Sequence, residues 1–179
     1  MANPGSKNST YRCEGWDIPR LAMISNHTNT RNHLLSALPE EELDELRSIL
    51  TLVSLSHTQI IHEKNTPIDD VYFIEQGVTS VLTVMSDGAM SEVGMIGAER
   101  MVGMSALLGA DASAQRIIVQ VPGSALRMNA AVCKTSFDHR STFHRIVLRF
   151  VDTFLSLSAQ TAACNLLHSA EQRCARWLR

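Results

Sequence analysis

The sequence predicts a mainly β domain with flanking helices, an antiparallel sandwich or barrel led by short helices and followed by one long helix. Three observations predict it. Between Leu52 and Met128, short β-branched and aromatic runs alternate with turn residues at close spacing. That region lacks the strand–helix–strand rhythm of a parallel sheet. From Thr142 onward, apolar residues recur in alternating steps of four and three, a helical period.

A chain of 179 residues, 45% hydrophobic and 19% charged, is long enough for one well-buried core. Its formal net charge of -2 gives no broad basic surface for nucleic acid or membrane. Residues Met1 to Thr30 are rich in Gly, Pro, Ser, Asn and Thr and read as a weakly ordered arm, with Trp16 and Ile18 able to dock on the body. They hold no sustained apolar run, so neither a secretory signal nor a membrane span is expected there. Cys13, Cys133, Cys164 and Cys174 form no C-x-x-C pair and no regular framework, which points to free, buried thiols and a reducing, cytoplasmic setting.

The first element after the arm is a short helical turn in NHLLSAL, broken at Pro39. A second helix then carries Leu43, Leu46, Ile49 and Leu50 on one face. Pro39 suits its first turn, and Glu40, Glu41 and Glu42 favour its positive end. From Leu52 the period changes. The strand candidates are LVSLSHTQIIH, VYFIEQG, VTSVLTVM, SEVGMI, RIIVQV and SALRM. Their separators are Asn65-Thr66-Pro67, Gln76-Gly77, Ser86-Asp87-Gly88, Gly109 to Ser113, and Pro122-Gly123.

The pattern turns helical again at Ala130. The stripe Phe143, Val147, Phe150, Phe154, Leu157, Thr161, Cys164 and His168 forms a heptad seam. Such a seam buries against a second helix or against the chain's own sheet. Its length favours self-association, with Phe143, Val147, Phe150, Phe154, Leu157 and Thr161 at a homodimer interface. The last residues, AEQRCARWLR, still look helical.

Taken together, PIDDVYFIEQGVTSVLTVMSDG, EVGMIGAERMVGMSALLG, the long helix and AEQRCARWLR resemble the catabolite-activator/Fnr (Crp/Fnr) superfamily of bacterial transcription regulators, from about Asn32 to Arg179. The resemblance implies a β-roll (jelly-roll, cyclic-nucleotide-binding-like) sensor domain, a long helix that pairs two subunits, and a winged helix-turn-helix. It divides the chain into the arm 1–30, a sensor domain 31–129 with its leading helices, a dimerisation helix region 130–169, and 170–179 as the start of a DNA-binding domain expected beyond this chain. The implied function is the sensor and dimerisation portion of a DNA-binding regulator answering a small-molecule or redox signal. A stand-alone dimeric β-roll module that binds a ligand or protein partner remains the alternative.

Relatives that bind cyclic nucleotides use a Gly-Glu pair at a short helical turn and an Arg before Ser or Thr and Ala. The Glu accepts from the ribose 2′-hydroxyl, and the Arg and backbone N–H groups hold the cyclic phosphate. Here the matching Gly is Gly103, Met104 stands at the Glu position, and the Arg-Ser-Ala region reads Ser113, Ala114, Gln115, Arg116. A thioether cannot replace a carboxylate as acceptor. Arg116 is either a displaced phosphate ligand or, more plainly, an outward strand charge. The pocket candidates are therefore Gly103, Met104, Ser105, Ala106 and Arg116, and no tight binding of cyclic AMP or cyclic GMP is expected.

No catalytic constellation competes with this reading. Gly103-Met104-Ser105-Ala106-Leu107 fails the last position of a G-x-S-x-G elbow, so Ser105 reads as a loop residue. The pairs His57 with His62 and His139 with His144 lack metal-ligand spacing and a supporting carboxylate. Cys13 alone cannot hold an iron–sulfur cluster, and nothing in the pattern selects a haem ligand among His62, His144 and Cys133. No metal and no cofactor are expected. Arg173, Arg176 and Arg179 share a helical stripe that reads as a solvated face.

Overall fold

The computed structural model describes residues 30–139, 141–169 and 171. The arm residues Cys13, Trp16 and Ile18 lie outside the described residues, as do Arg173, Cys174, Arg176 and Arg179.

Two short helices lead, α1 (His33–Ser36) and α2 (Glu40–Arg47). Asn32 caps α1 by accepting from the backbone N–H of Leu34 and Leu35, and its side-chain amide donates to the carbonyls of Ile74 and Arg100 at 2.9 and 2.8 Å. The residue is fully buried, and the four bonds explain why a polar side chain is tolerated there. Pro39 sits at the N-cap of α2, one position before the expected first turn. Leu43 and Leu46 are buried as the periodicity predicts. Ile49 and Leu50 fall beyond the helix end, because the chain must open at Thr51 to pair with Arg127. Tertiary pairing overrides the local period at that point.

The strands are β1 (Thr51–Leu55), β2 (Ile60–His62), β3 (Asp70–Val84), β4 (Met90–Ile96), β5 (Met101–Val102) and β6 (Arg116–Asn129). They form one antiparallel sheet ordered β1-β6-β3-β4, with β2 also on β6 and β5 on β3. The helix α3 (Met104–Leu107) links β5 to β6, and α4 (Ala130–Asp138) and α5 (Thr142–Leu167) follow β6. This is the expected mainly β roll with flanking helices and a long terminal helix.

Two expected turns are absent. Gln76-Gly77 and Pro122-Gly123 lie inside β3 and β6, which run on as 15- and 14-residue strands. The two sites face each other, with Gln76 paired to Ser124 and Val78 to Val121 across a register shift. A Cβ on Gly123 would lie 2.1 Å from the Gln76 carbonyl oxygen, and one on Gly77 2.5 Å from that of Val121. The glycines mark a close approach of two bent strands.

The core lies between this folded sheet and the helices. Phe73 meets Phe143 of α5 with ring centroids 6.2 Å apart. Phe143, Val147, Phe150 and Phe154 of the heptad stripe are all buried within the single chain. These four serve the second use of an apolar stripe, packing on the chain's own sheet. Leu157 and Thr161 are half-buried. The outward side of α5 carries exposed Leu148, Leu155, Leu166 and Leu167 instead.

Candidate functional site

The Gly-rich cassette lies where β4, β5, α3 and the start of β6 converge. Gly103 is the N-cap of α3 at φ +90°, and a Cβ there would stand 3.1 Å from the Asp70 oxygen, His62 Cε1 and Val71 Cγ1. Glycine is required both by the left-handed backbone and by this crowding. It lets α3 turn tightly beneath β2, so that Met104 and Ser105 reach a cavity also walled by His62, Ile96, Ser113 and Phe154. Ser105 is helical, correcting its reading as a loop residue, because Ala106 N–H closes a turn on the Gly103 carbonyl at 3.1 Å.

Two of the polar walls, Ser113 and His62, are already engaged. Ser113 is buried, and its hydroxyl donates to the Gln115 carbonyl at 2.7 Å. The His62 ring meets the Asp70 carbonyl through Nε2 at 2.9 Å. A carbonyl only accepts, so that nitrogen carries the proton. Burial lowers the His62 pKa, outweighing the hydrogen bond to Asp70 and the charges of Asp70 and Asp69, and the ring is neutral at pH 7. Cys133, fully buried in α4, has its thiol pushed up to about 12 by burial and is unreactive.

Of the five expected pocket residues, Gly103, Met104 and Ser105 line the cavity; Ala106 and Arg116 do not. Arg116 instead forms a two-pronged pair with Glu63, Nε at 2.9 Å from Oε1 and Nη2 at 2.9 Å from Oε2. The shared hydrogen bonds lower the Glu63 pKa and raise that of Arg116. Arg116 is thus the strand charge of the plainer reading, held at the rim by a carboxylate.

Among the wall residues that were not pocket candidates in the sequence are His62 and Phe154. The signal for Phe154 was Gly94, a glycine inside a strand pattern, which marks a close approach by another element. A Cβ at Gly94 would lie 3.2 Å from Phe154 Cε2. The remaining cavity is about 30 Å3, room for a water or two, and no lining side chain carries a formal charge. A nucleotide needs several hundred Å3 and a counter-charge for its phosphate. The lining residues offer no cationic side chain to a nucleotide phosphate.

Residues 52–138 match the family model of the cyclic nucleotide-binding domain. No curated protein sequence matches the chain significantly. Among solved structures, the c-di-GMP responsive global regulator CLP of Xanthomonas campestris is similar at TM-score 0.66 and 12% identity, covering 78% of this chain and 70% of that one. The sensor domain of the transcriptional regulator DNR from Pseudomonas aeruginosa aligns at TM-score 0.55 and 14% identity, over 73% of this chain and 86% of that one. The regulatory subunit of a cAMP-independent protein kinase A from Trypanosoma brucei aligns at 0.50 and 21%, over 54% and 36%. Among the described residues, no helix is long and apolar enough to cross a membrane. The roll, its glycine cassette and the helix that closes it are similar to the cyclic nucleotide-binding domain over residues 52–138, and transcriptional regulators are among the solved structures that share the fold.

Proposed function

We propose that the chain is the sensor and dimerisation portion of a Crp/Fnr-type DNA-binding regulator that does not respond to cyclic AMP. The observation that carries this reading is the uncharged, nearly filled cassette, with the Arg116 guanidinium spent on Glu63. The neighbours support a fold whose ligand relations vary, since one is named as c-di-GMP responsive and another as cAMP-independent. In this reading two copies pair through the outward face of α5, where Leu148, Leu155 and Leu166 stand at heptad-compatible spacing. DNA is contacted by an element outside these residues. The signal acts through its differential affinity for two arrangements of the paired helices.

Calorimetric titration of the chain with cyclic AMP and cyclic GMP tests the first part. No saturable heat is expected with either nucleotide; micromolar binding of either would overturn the reading.

A further inference from the structure

We propose that Phe154 is the cassette's resident occupant: its ring takes up space on the α5 side of the cavity and latches α5 onto β4 without any small molecule. The proposal rests on the reading above that the cassette takes no cyclic nucleotide, and adds what fills it instead. Phe154 is a wall of the cavity and is itself 8% exposed. Phe150 flanks it one turn earlier, with ring centroids 6.1 Å apart. On the strand side the ring edge lies over Gly94, Cε2 and Cζ being 3.2 and 3.5 Å from the site of a Cβ. β4 is irregular at that point: Val81 pairs with Gly94 and Leu82 with Glu92, so Val93 bulges and the glycine is presented to the helix.

The contact is apolar throughout. Ser158, one turn beyond Phe154, is 4.0 Å from the same Cβ site, yet its hydroxyl is buried without a hydrogen-bond partner. Among the described residues that hydroxyl ties nothing to β4, which leaves the ring to hold the helix. The unliganded chain therefore keeps α5 seated, and a signal acts by unseating Phe154.

Hydrogen exchange on the intact chain tests the latch. Phe154→Ala removes the ring, and Gly94→Val expels it while leaving it on the helix; Phe154→Leu and Gly94→Ala are the milder forms should either fold poorly. The expected result is exchange faster by about tenfold in the second half of α5 and in β4, with Val71 to Ile74 of β3 unchanged. Millimolar benzene, which can refill the vacated space, should restore protection to Phe154→Ala and not to Gly94→Val. Wild-type rates in α5 of both variants would overturn the latch, as would loosening spread equally through β3 and β6. No nucleotide enters this experiment, so its failure leaves the titration result standing, and cyclic-nucleotide binding would fail the earlier reading separately.

Discussion

The Glu42 carboxylate accepts from the backbone N–H groups of Thr142 and Phe143, both at 3.0 Å. Ser141, the N-cap residue of α5, makes no capping hydrogen bond of its own, so the long helix is capped by a residue of α2. Burial acts to raise the Glu42 pKa, but the backbone donors Phe143 and Thr142 and the hydroxyls of Thr142 and Ser141 outweigh it, and the net shift is downward. A carboxylate depressed on folding contributes stability that is complete above its unfolded pKa and lost as pH falls through the folded one. Glu42→Gln should therefore cost about 1 kcal/mol at neutral pH, and the gap from wild type should close in acid, below the ordinary carboxylate range. Urea melts at pH 7 and at acid pH check both; a gap independent of pH would show that the charge is not used. The sequence placed Glu42 correctly at a helix start and assigned it to the wrong helix, because a cap reaching across a hundred residues leaves no local signature. Asn32 was missed for the same reason, two of its partners, the Ile74 and Arg100 carbonyls, being recognisable only once α1 lies against the sheet.

At the scale of elements, the strands were legible and their lengths were not. Alternation in TSVLTVM and the β-branched run RIIVQV located β3 and β6, and Ser86-Asp87-Gly88 marked a genuine hairpin tip, where Met85 N–H donates to Ala89 at 2.8 Å. Gly77 and Gly123 look identical in sequence to turn glycines. Only the facing register reveals that Gly77 makes room for the backbone of Val121 and Pro122, and Gly123 for that of Gln76 and Gly77. Gly123→Ala should destabilise by roughly 1–3 kcal/mol, the range for overpacking, since Gln76 backbone and not a movable side chain occupies the space. Ala110→Ser on the exposed loop after α3 serves as a control expected to be neutral. Thermal melts of the two variants provide the comparison; a neutral Gly123→Ala would mean that the strands part at no cost.

For the whole molecule, the heptad seam carried two meanings that its period could not separate. A stripe of Phe and Val fits a sheet and a second helix equally, and only the packing shows that the roll takes Phe143 through Phe154. The cassette's glycines were readable in the sequence, whereas one of its walls, Phe154, is delivered from α5 and could not be placed there from local pattern. If copies pair through the outward face, Leu155, 62% exposed, is near the centre of the contact. Leu155→Glu should then shift the chain to monomer in sedimentation velocity without lowering its melting temperature at low concentration; an unchanged sedimentation coefficient in a dimeric wild type would place the interface elsewhere. The central ladder carries a further consequence, for the time the chain takes to fold. Asp70 pairs with Asn129, and even the nearest rungs, Leu82 with Arg116, are separated by β4, β5 and α3. This ladder cannot zip outward from a tight turn, so the roll belongs with slow, high-contact-order folders. During synthesis β3 leaves the ribosome well before its main partner strand, and Val71, Phe73 and Ile74 wait uncovered until β6 arrives, the interval in which this chain is most exposed to aggregation.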